Sequence, residues 1–330
     1  MTPAGRVELH THLEGSVTPA RLILLADKYG QPGLPAAVLN EDGSSYRFEG
    51  FHGFLDAFKH VTSLLRTPGD FHAVARDLGG RLKADGVAYA EISLSYGVLL
   101  KRNIDPVTVQ SALAEAAAEV RETNGVEMRW IPDAVRQWDI DWGWRAWEAA
   151  TRAGRGLGVV GFGLGGDEAD GPAADFADIF AEVKAEGFGV TIHAGEMPAM
   201  GAAAVDSIRQ AIDECGADRI GHGLAAVQDP LILATLAARD VFVEMCPGSN
   251  VQTGGISAWS DHPLREILDA GVPCCLNTDD RAMFGLDLEG EYRRAAEFAD
   301  LSTAEHDRMQ NAARQAAFHD FNQGSAGSPE

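Results

Sequence analysis

The chain is predicted to fold as an α/β protein, a (β/α)8 TIM barrel with a helical insertion after the first strand and extra C-terminal helices. Two observations predict it: eight short runs rich in β-branched and aromatic residues, and Ala-rich amphipathic stretches between them. A third is that several of those runs end in polar residues, and barrels of this type carry their sites at the C-terminal ends of the strands.

The strand runs lie at 6–12, 86–95, 126–135, 159–166, 189–194, 219–223, 241–246 and 273–278, with helical stretches such as 107–124, 174–187, 203–215 and 229–239 between them. Strands joined by helices require a parallel sheet, and eight such units close into a barrel. About 70 residues separate the first two strands, where a βα unit needs roughly 30 or more. This insertion, about 17–85, holds a helix near 19–30, the polar loop LNEDGSSY and two helices across 51–85. Phe48, Phe51, Phe54, Leu55 and Phe58 recur there at near-helical spacing, either as a core stripe or as a wall over the barrel mouth. The segment from 303 is expected to be helical to about Phe321, with GSAGSPE a disordered tail (about 322–330). No repeat or linker divides residues 1–330, so a single domain is expected.

Composition narrows the function. A net charge of −22 argues against nucleic acid or an anionic membrane as partner. No apolar run is long enough to span a bilayer, and MTPAGRVELH lacks the apolar core of a signal peptide. Cys215, Cys246, Cys274 and Cys275 form no Cys-x-x-Cys pair and read as reduced thiols. A cytoplasmic protein with a small-molecule partner is expected; oligomeric state, a homodimer included, is left open.

The polar strand ends carry the chemistry. The first run ends in His10 and His12, the fifth in His193 of HAGE, the sixth in His222 of RIGHG, and the eighth in NTDD with Asp279 and Asp280. The other histidines (52, 60, 72, 262, 306, 319) fall in loops or helices. Residues i and i+2 of a strand share a face, so His10 and His12 can grip one ion. Three imidazoles and a carboxylate suit Zn²⁺, and His10, His12, His193 and Asp279 can converge from three strands while leaving a position for water. One zinc per chain is expected. For each residue alone, a satisfied core histidine or a capping aspartate is the competing reading.

The set HTHLEGS, HAGE, RIGHG, CPGSN and NTDD, in that order on eight βα units, resembles the adenosine deaminase family of the amidohydrolase superfamily, from residue 6 to about 320. The Pro-Cys-x-x-Cys pattern of cytidine deaminases and the His-Glu-x-x-His of metalloproteases are absent. The resemblance implies zinc-dependent hydrolytic deamination of the 6-amino group of a purine nucleoside, giving a 6-oxopurine and ammonia. Adenosine or deoxyadenosine is the family default. The LGGDE and EISLSYGVLLKRN runs are similar to the aminodeoxyfutalosine deaminase branch, whose substrate, 6-aminodeoxyfutalosine, carries an acidic 5′ extension. Adenine deamination, or ester or lactone hydrolysis, is the alternative.

By the same resemblance, Glu196 as a protonated acid donates to ring N1, and His222 orients the attacking water. Asp280 hydrogen-bonds N7, and the Gly166 N–H reaches N3. A turn-capping Asp280 and a purely conformational Gly166 are the competing readings. Asp167 and Glu168 read as supports, Ser249 and Asn250 as shaping the seventh loop, and His262 as a helix start. Three departures touch the region beyond the base. Glu14 stands where the family has the aspartate near the ribose 5′-hydroxyl, Gly163 replaces an acid, and Arg281 replaces a proline. Arg281, or Lys101 and Arg102, is expected beside the pocket as partner to a substrate carboxylate.

Overall fold

Eight strands hydrogen-bond in sequence order, each parallel to the next: β1 (Arg6–His12), β2 (Val87–Ser95), β3 (Glu127–Val135), β4 (Gly161–Gly165), β5 (Gly189–Ala194), β6 (Arg219–His222), β7 (Phe242–Met245) and β8 (Cys274–Leu276). The structure is a computed structural model that describes residues 5–319. His12 N donates to Asp279 O and Asp279 N to His10 O, both at 3.1 Å, which joins the first strand to the chain leaving the last. The expected TIM barrel is therefore observed. β8 is shorter than predicted because the chain turns at Asp279, whose φ is 58°.

β1 contains an extra residue. Glu8 pairs with Ala90 but Thr11 with Ile92, so three steps on β1 match two on β2. The N–H groups of Leu9 and His10 both donate to Asn277 Oδ1, at 2.9 and 3.1 Å. Such a bulge re-aims the side chains that follow it. Val7 and Leu9 pack with Tyr89, Phe242, Cys275 and Ala313 at the N-terminal end of the barrel. After the bulge, His10 turns to Glu244 across the interior.

The insertion holds helices Pro19–Lys28, Leu34–Val38, Gly50–Leu64 and Pro68–Ala84. The first starts where Thr18 accepts from Arg21 N; the last starts at a capping box between Thr67 and Asp70. Pro68–Ala84 is also the barrel's own crossover helix. It lies so close to helix Pro106–Asn124 that a Cβ on Gly79 would stand 2.5 Å from Val120. Helix Gly50–Leu64 carries the phenylalanine stripe, and both readings of it hold: Phe54 is buried in the core, and Phe51, Phe54, Leu55 and Phe58 line a cavity at the barrel mouth.

The C-terminal helix Thr303–Ala316 ends five residues before the predicted Phe321; Ala317 is already extended. The expected tail at 322–330 lies outside the described residues. Cys215, Cys246, Cys274 and Cys275 are free and buried, and no helix among the described residues is long and apolar enough to cross a membrane.

Arg281 departs from its expectation. The turn at Asp279 carries it behind the strand ends, where it is 1% exposed and pairs with Asp85 at 2.6 Å and Glu8 at 3.4 Å. Its Nε donates to Thr278 Oγ1. It ties the chain after β8 to the end of helix Pro68–Ala84 and does not line the mouth. Arg281→Met leaves the buried Glu8 and the part-buried Asp85 without their shared cation and is expected to lower unfolding stability by about 3 kcal/mol, read as a shifted urea midpoint.

Candidate active site

The C-terminal strand ends bring His10, His12, His193 and Asp279 together, with one donor atom of each within 4.8 Å of every other. His12 Nε2 lies 3.3 Å from His193 Nε2 and 3.2 Å from Asp279 Oδ1; His10 Nε2 lies 3.5 Å from the same oxygen. The outward atoms are held. His10 Nδ1 sits 2.7 Å from Glu244 Oε2, His193 Nδ1 3.1 Å from Leu164 O, and Asp279 Oδ2 accepts from Ser249 Oγ at 2.6 Å. The inward His10 Nε2 is buried and has no hydrogen-bond partner. Anchored outer atoms and converging inner ones are what a cation with nitrogen and oxygen ligands requires. Close approach depends on Gly221, where a Cβ would stand 2.8 Å from the His10 ring.

Electrostatics favour positive charge at this point. Burial alone would lower the pKa of His10 and of His12. The adjacent carboxyl groups of Asp279 and Glu244 carry His10 up to about 9, and those of Asp280 and Asp279 carry His12 to about 10. Burial pushes Asp279 up, but its contacts with His10 and His12 outweigh it and hold it well below the usual range. Neighbouring Asp280 goes the other way, raised well above that range by burial and by Asp279.

Around this cluster stand Glu196, His222 and Asp280, all lining one cavity of about 450 Å³. Burial and the charges of Asp279 and Glu168 raise Glu196 to about 8, so it keeps its proton at neutral pH. Burial lowers His222 to about 3, leaving a neutral imidazole. Asn250 hydrogen-bonds His222 Nδ1 at 3.0 Å, and Nε2 faces Glu196 Oε1 at 3.9 Å. His222 and Asp279 both hold positive φ, 65° and 58°, a strained backbone of the kind that collects at functional sites.

Gly166 also lines the cavity, at φ 101°, and a Cβ there would strike the Gln137 side chain. Glu14 is not brought into the wall: it is buried, with Oε1 accepting from Ser95 N at 3.0 Å. Arg102 is not there either, since it donates to Thr62, Ser63 and Leu65 carbonyls and so caps helix Gly50–Leu64. Lys101 lies over the Trp138 ring at 3.9 Å, and Trp138 itself lines the cavity. His262 accepts from Leu264 N, the helix-start geometry expected of it.

Sequence reading passed over two site residues, Asp133 and Glu244, and read Glu168 only as a support. Asp133, two residues before the end of β3, lines the cavity beside Ser95, and is raised to about 6 by burial; the strand-end rule applied to IPDAV would have found it. Glu244 is a charge inside the apolar run VFVEMC, and a buried charge there needs a partner. Glu168 accepts from the N–H groups of Gly195, Glu196 and Met197 and so sets the HAGE turn. A larger cleft, about 570 Å³, opens at the opposite end of the barrel around Arg219 and Phe318, and none of the predicted site residues reaches it.

Glu168→Ala leaves those buried amides unpaired and is expected to cost about 2 kcal/mol of stability. Faster hydrogen exchange confined to the amides of Gly195 and Glu196 would locate the effect.

Comparison with known proteins agrees with this geometry. The adenosine deaminase family model matches residues 5–326. The chain is 36% identical, over 88% of its length, to an aminodeoxyfutalosine deaminase of Acidothermus cellulolyticus, 82% of which is covered. It is 32% identical to an adenine deaminase of Mesorhizobium japonicum, over 96% of this chain and 94% of that one. The crystal structure of an adenine deaminase from Arthrobacter aurescens shares the fold with a TM-score of 0.84 at 26% identity, over 97% and 95% of the two chains. Matched along nearly its whole length and sharing the barrel, the chain belongs to the adenosine deaminase family, hydrolytic deaminases that act on C–N bonds.

Proposed function

We infer that the chain is a zinc enzyme that deaminates the 6-position of an adenine nucleoside carrying an acidic 5′ extension, as in 6-aminodeoxyfutalosine. The observation that carries this reading is the shape and lining of the cavity. From Glu196 and Asp280 it runs outward to Phe51, Leu55, Phe58, Val98 and Trp138, with Lys59 at its edge. A bare purine would leave that apolar wall unfilled, whereas an extended nucleoside buries it, and exposed Lys59, paired only at the surface with Asp56, replaces Arg281 and Arg102 as the cation for a terminal carboxylate. Free adenine is the second reading, favoured by the adenine deaminases among the relatives.

His10, His12, His193 and Asp279 would hold the zinc. When bound, it supplies Lewis-acid activation of water, bringing the water's pKa to about 7. The chain's own groups then divide the proton work. Glu196 gives its proton to N1, so that C6 becomes electrophilic and the ring gathers no negative charge. His222, neutral and held through Nδ1, accepts a proton from the attacking water at Nε2. Asp280, kept protonated, donates to N7. As the C–N bond breaks, His222 returns its proton to the departing ammonia. Glu196 recovers one from the new C6 hydroxyl, leaving C6=O and N1–H.

Four outcomes test this. Zinc content by mass spectrometry should be one per chain. Ammonia release should give the highest kcat/KM for 6-aminodeoxyfutalosine over adenosine and adenine; a winning adenine would transfer the assignment to the second reading, and failure on all three would end both. Glu196→Gln should retain zinc and lose about 10²- to 10⁴-fold in kcat. The pH profile should have an alkaline limb. Glu196 acts in its protonated form, so kcat holds below its pKa and falls as pH rises through about 8; a bound cation moves that limb down, not up.

A further inference from the structure

The barrel interior holds a chain of charges that the proposed reaction does not use. Glu91 of β2, Arg219 of β6 and Glu244 of β7 are each 1% exposed or less, where barrel layers are ordinarily filled by Val, Ile and Leu. Arg219 pairs through Nη1 with Glu91 Oε2 at 2.6 Å and through Nε with Glu244 Oε1 at 2.5 Å. The other oxygen of Glu244 accepts from Thr191 Oγ1 at 3.0 Å and meets His10 Nδ1 at 2.7 Å. Arg219 thus stands two contacts from a candidate metal ligand.

The opposite end of this chain is held by the C-terminal segment. The Arg219 guanidinium lies 3.6 Å from the centre of the Phe318 ring, and Nη1 donates to Ala316 O at 3.1 Å. Phe318 N donates to Glu91 Oε1 at 2.7 Å, an oxygen that also accepts from Tyr89. The ring sits over Gly161 and Gly189, the first residues of β4 and β5. A Cβ at those positions would stand 2.7 and 2.2 Å from ring carbons. Two adjacent strands therefore begin with glycine where the ring needs the space. A lid serving only to cover apolar surface would need neither the cation contact nor the two backbone bonds to buried charges.

We propose that Phe318 is a positioning residue for the metal centre at the far end of the barrel. It holds Arg219, Arg219 holds Glu244, and Glu244 fixes the His10 ring with Nε2 toward His12, His193 and Asp279. The assignment rests on the metal reading above. Without the ring, Arg219 opens to the 570 Å³ cleft and loses a restraint on the face away from Glu244. A ligand whose ring orientation is loosened binds metal more weakly, and losing such outer support typically costs 10- to 100-fold in affinity.

The test uses the full chain and measures zinc affinity by competition with a chromophoric chelator, alongside the melting temperature of the metal-free protein. Phe318→Ala should weaken zinc binding about tenfold or more, and Phe318→Leu, which fills the seat without the aromatic face, should fall between it and the unmodified chain. Glu244→Gln should weaken zinc at least as much as Phe318→Ala. Unchanged zinc affinity in both Phe318 variants, with a lowered melting temperature, would overturn the proposal and leave Phe318 a structural cap. If the unmodified chain binds no zinc, the metal reading fails and this inference falls with it. Zinc bound normally by the unmodified chain and by Phe318→Ala removes only the latter.

Discussion

One strand must serve two ends of the barrel, and the rest of the site depends on how it does so. The inward face of β1 has to bury Val7 and Leu9 near the barrel bottom and then present two imidazoles at the top. Strict alternation forbids this, because Leu9 and His10 would face opposite ways. The extra residue between Glu8 and Thr11 changes the parity, and Asn277 Oδ1 accepts the two amides that the bulge frees. Glu8 is thereby left to Thr278 and Arg281 on the far side of the strand. The same eighth-strand segment that supplies Asp279 also stabilises the bulge that aims His10 and His12, so the candidate ligands from β1 and from the end of β8 are placed by a single local structure.

Around that structure, burial has sorted the carboxylates by partner. Asp279, in contact with two imidazoles, stays ionised, and Glu244 does so through Arg219 and His10. Glu196 and Asp280, equally buried but facing other carboxylates, are pushed upward. Charged groups taken out of water ionise only where a countercharge or donor meets them. Two classes of carboxylate follow within a few ångströms: those that attract a cation, and those that keep a proton to give away. Catalysis by proton donation to a ring nitrogen needs both classes side by side.

The barrel and the polar strand ends were legible because both are local signals: period-2 and period-3.6 patterning, and a histidine or aspartate where a strand stops. The bulge was not. It depends on an amide acceptor 267 residues away, so no window of sequence contains it. Arg281 was misjudged for a related reason: adjacency to Asp280 says nothing of direction once Asp279 adopts a left-handed turn. Arg102 was misjudged because a basic residue at a helix C-terminus serves free carbonyls as well as it serves a ligand. Glu14 is conservative in chemistry but, held on Ser95 N, lies out of the cavity wall. Asp133 was missed through an incomplete search, since its strand end obeys the rule that found the others.

In this chain the part of the cavity lining that tolerates change lies in the insertion, not at the strand ends. The four converging donors come from strand ends fixed by ladder hydrogen bonds and offer little freedom for a new substrate. Phe51, Leu55 and Phe58 come instead from a helix that meets the barrel by side-chain packing, through Phe54 against Phe48 and Phe284. Its C-terminus is tied down by Arg102. Apolar packing of this kind tolerates changes of side chain while the backbone stays in place. The converging donors at the strand ends can then stay in place while the cavity beyond them is altered by substituting the helix that covers it.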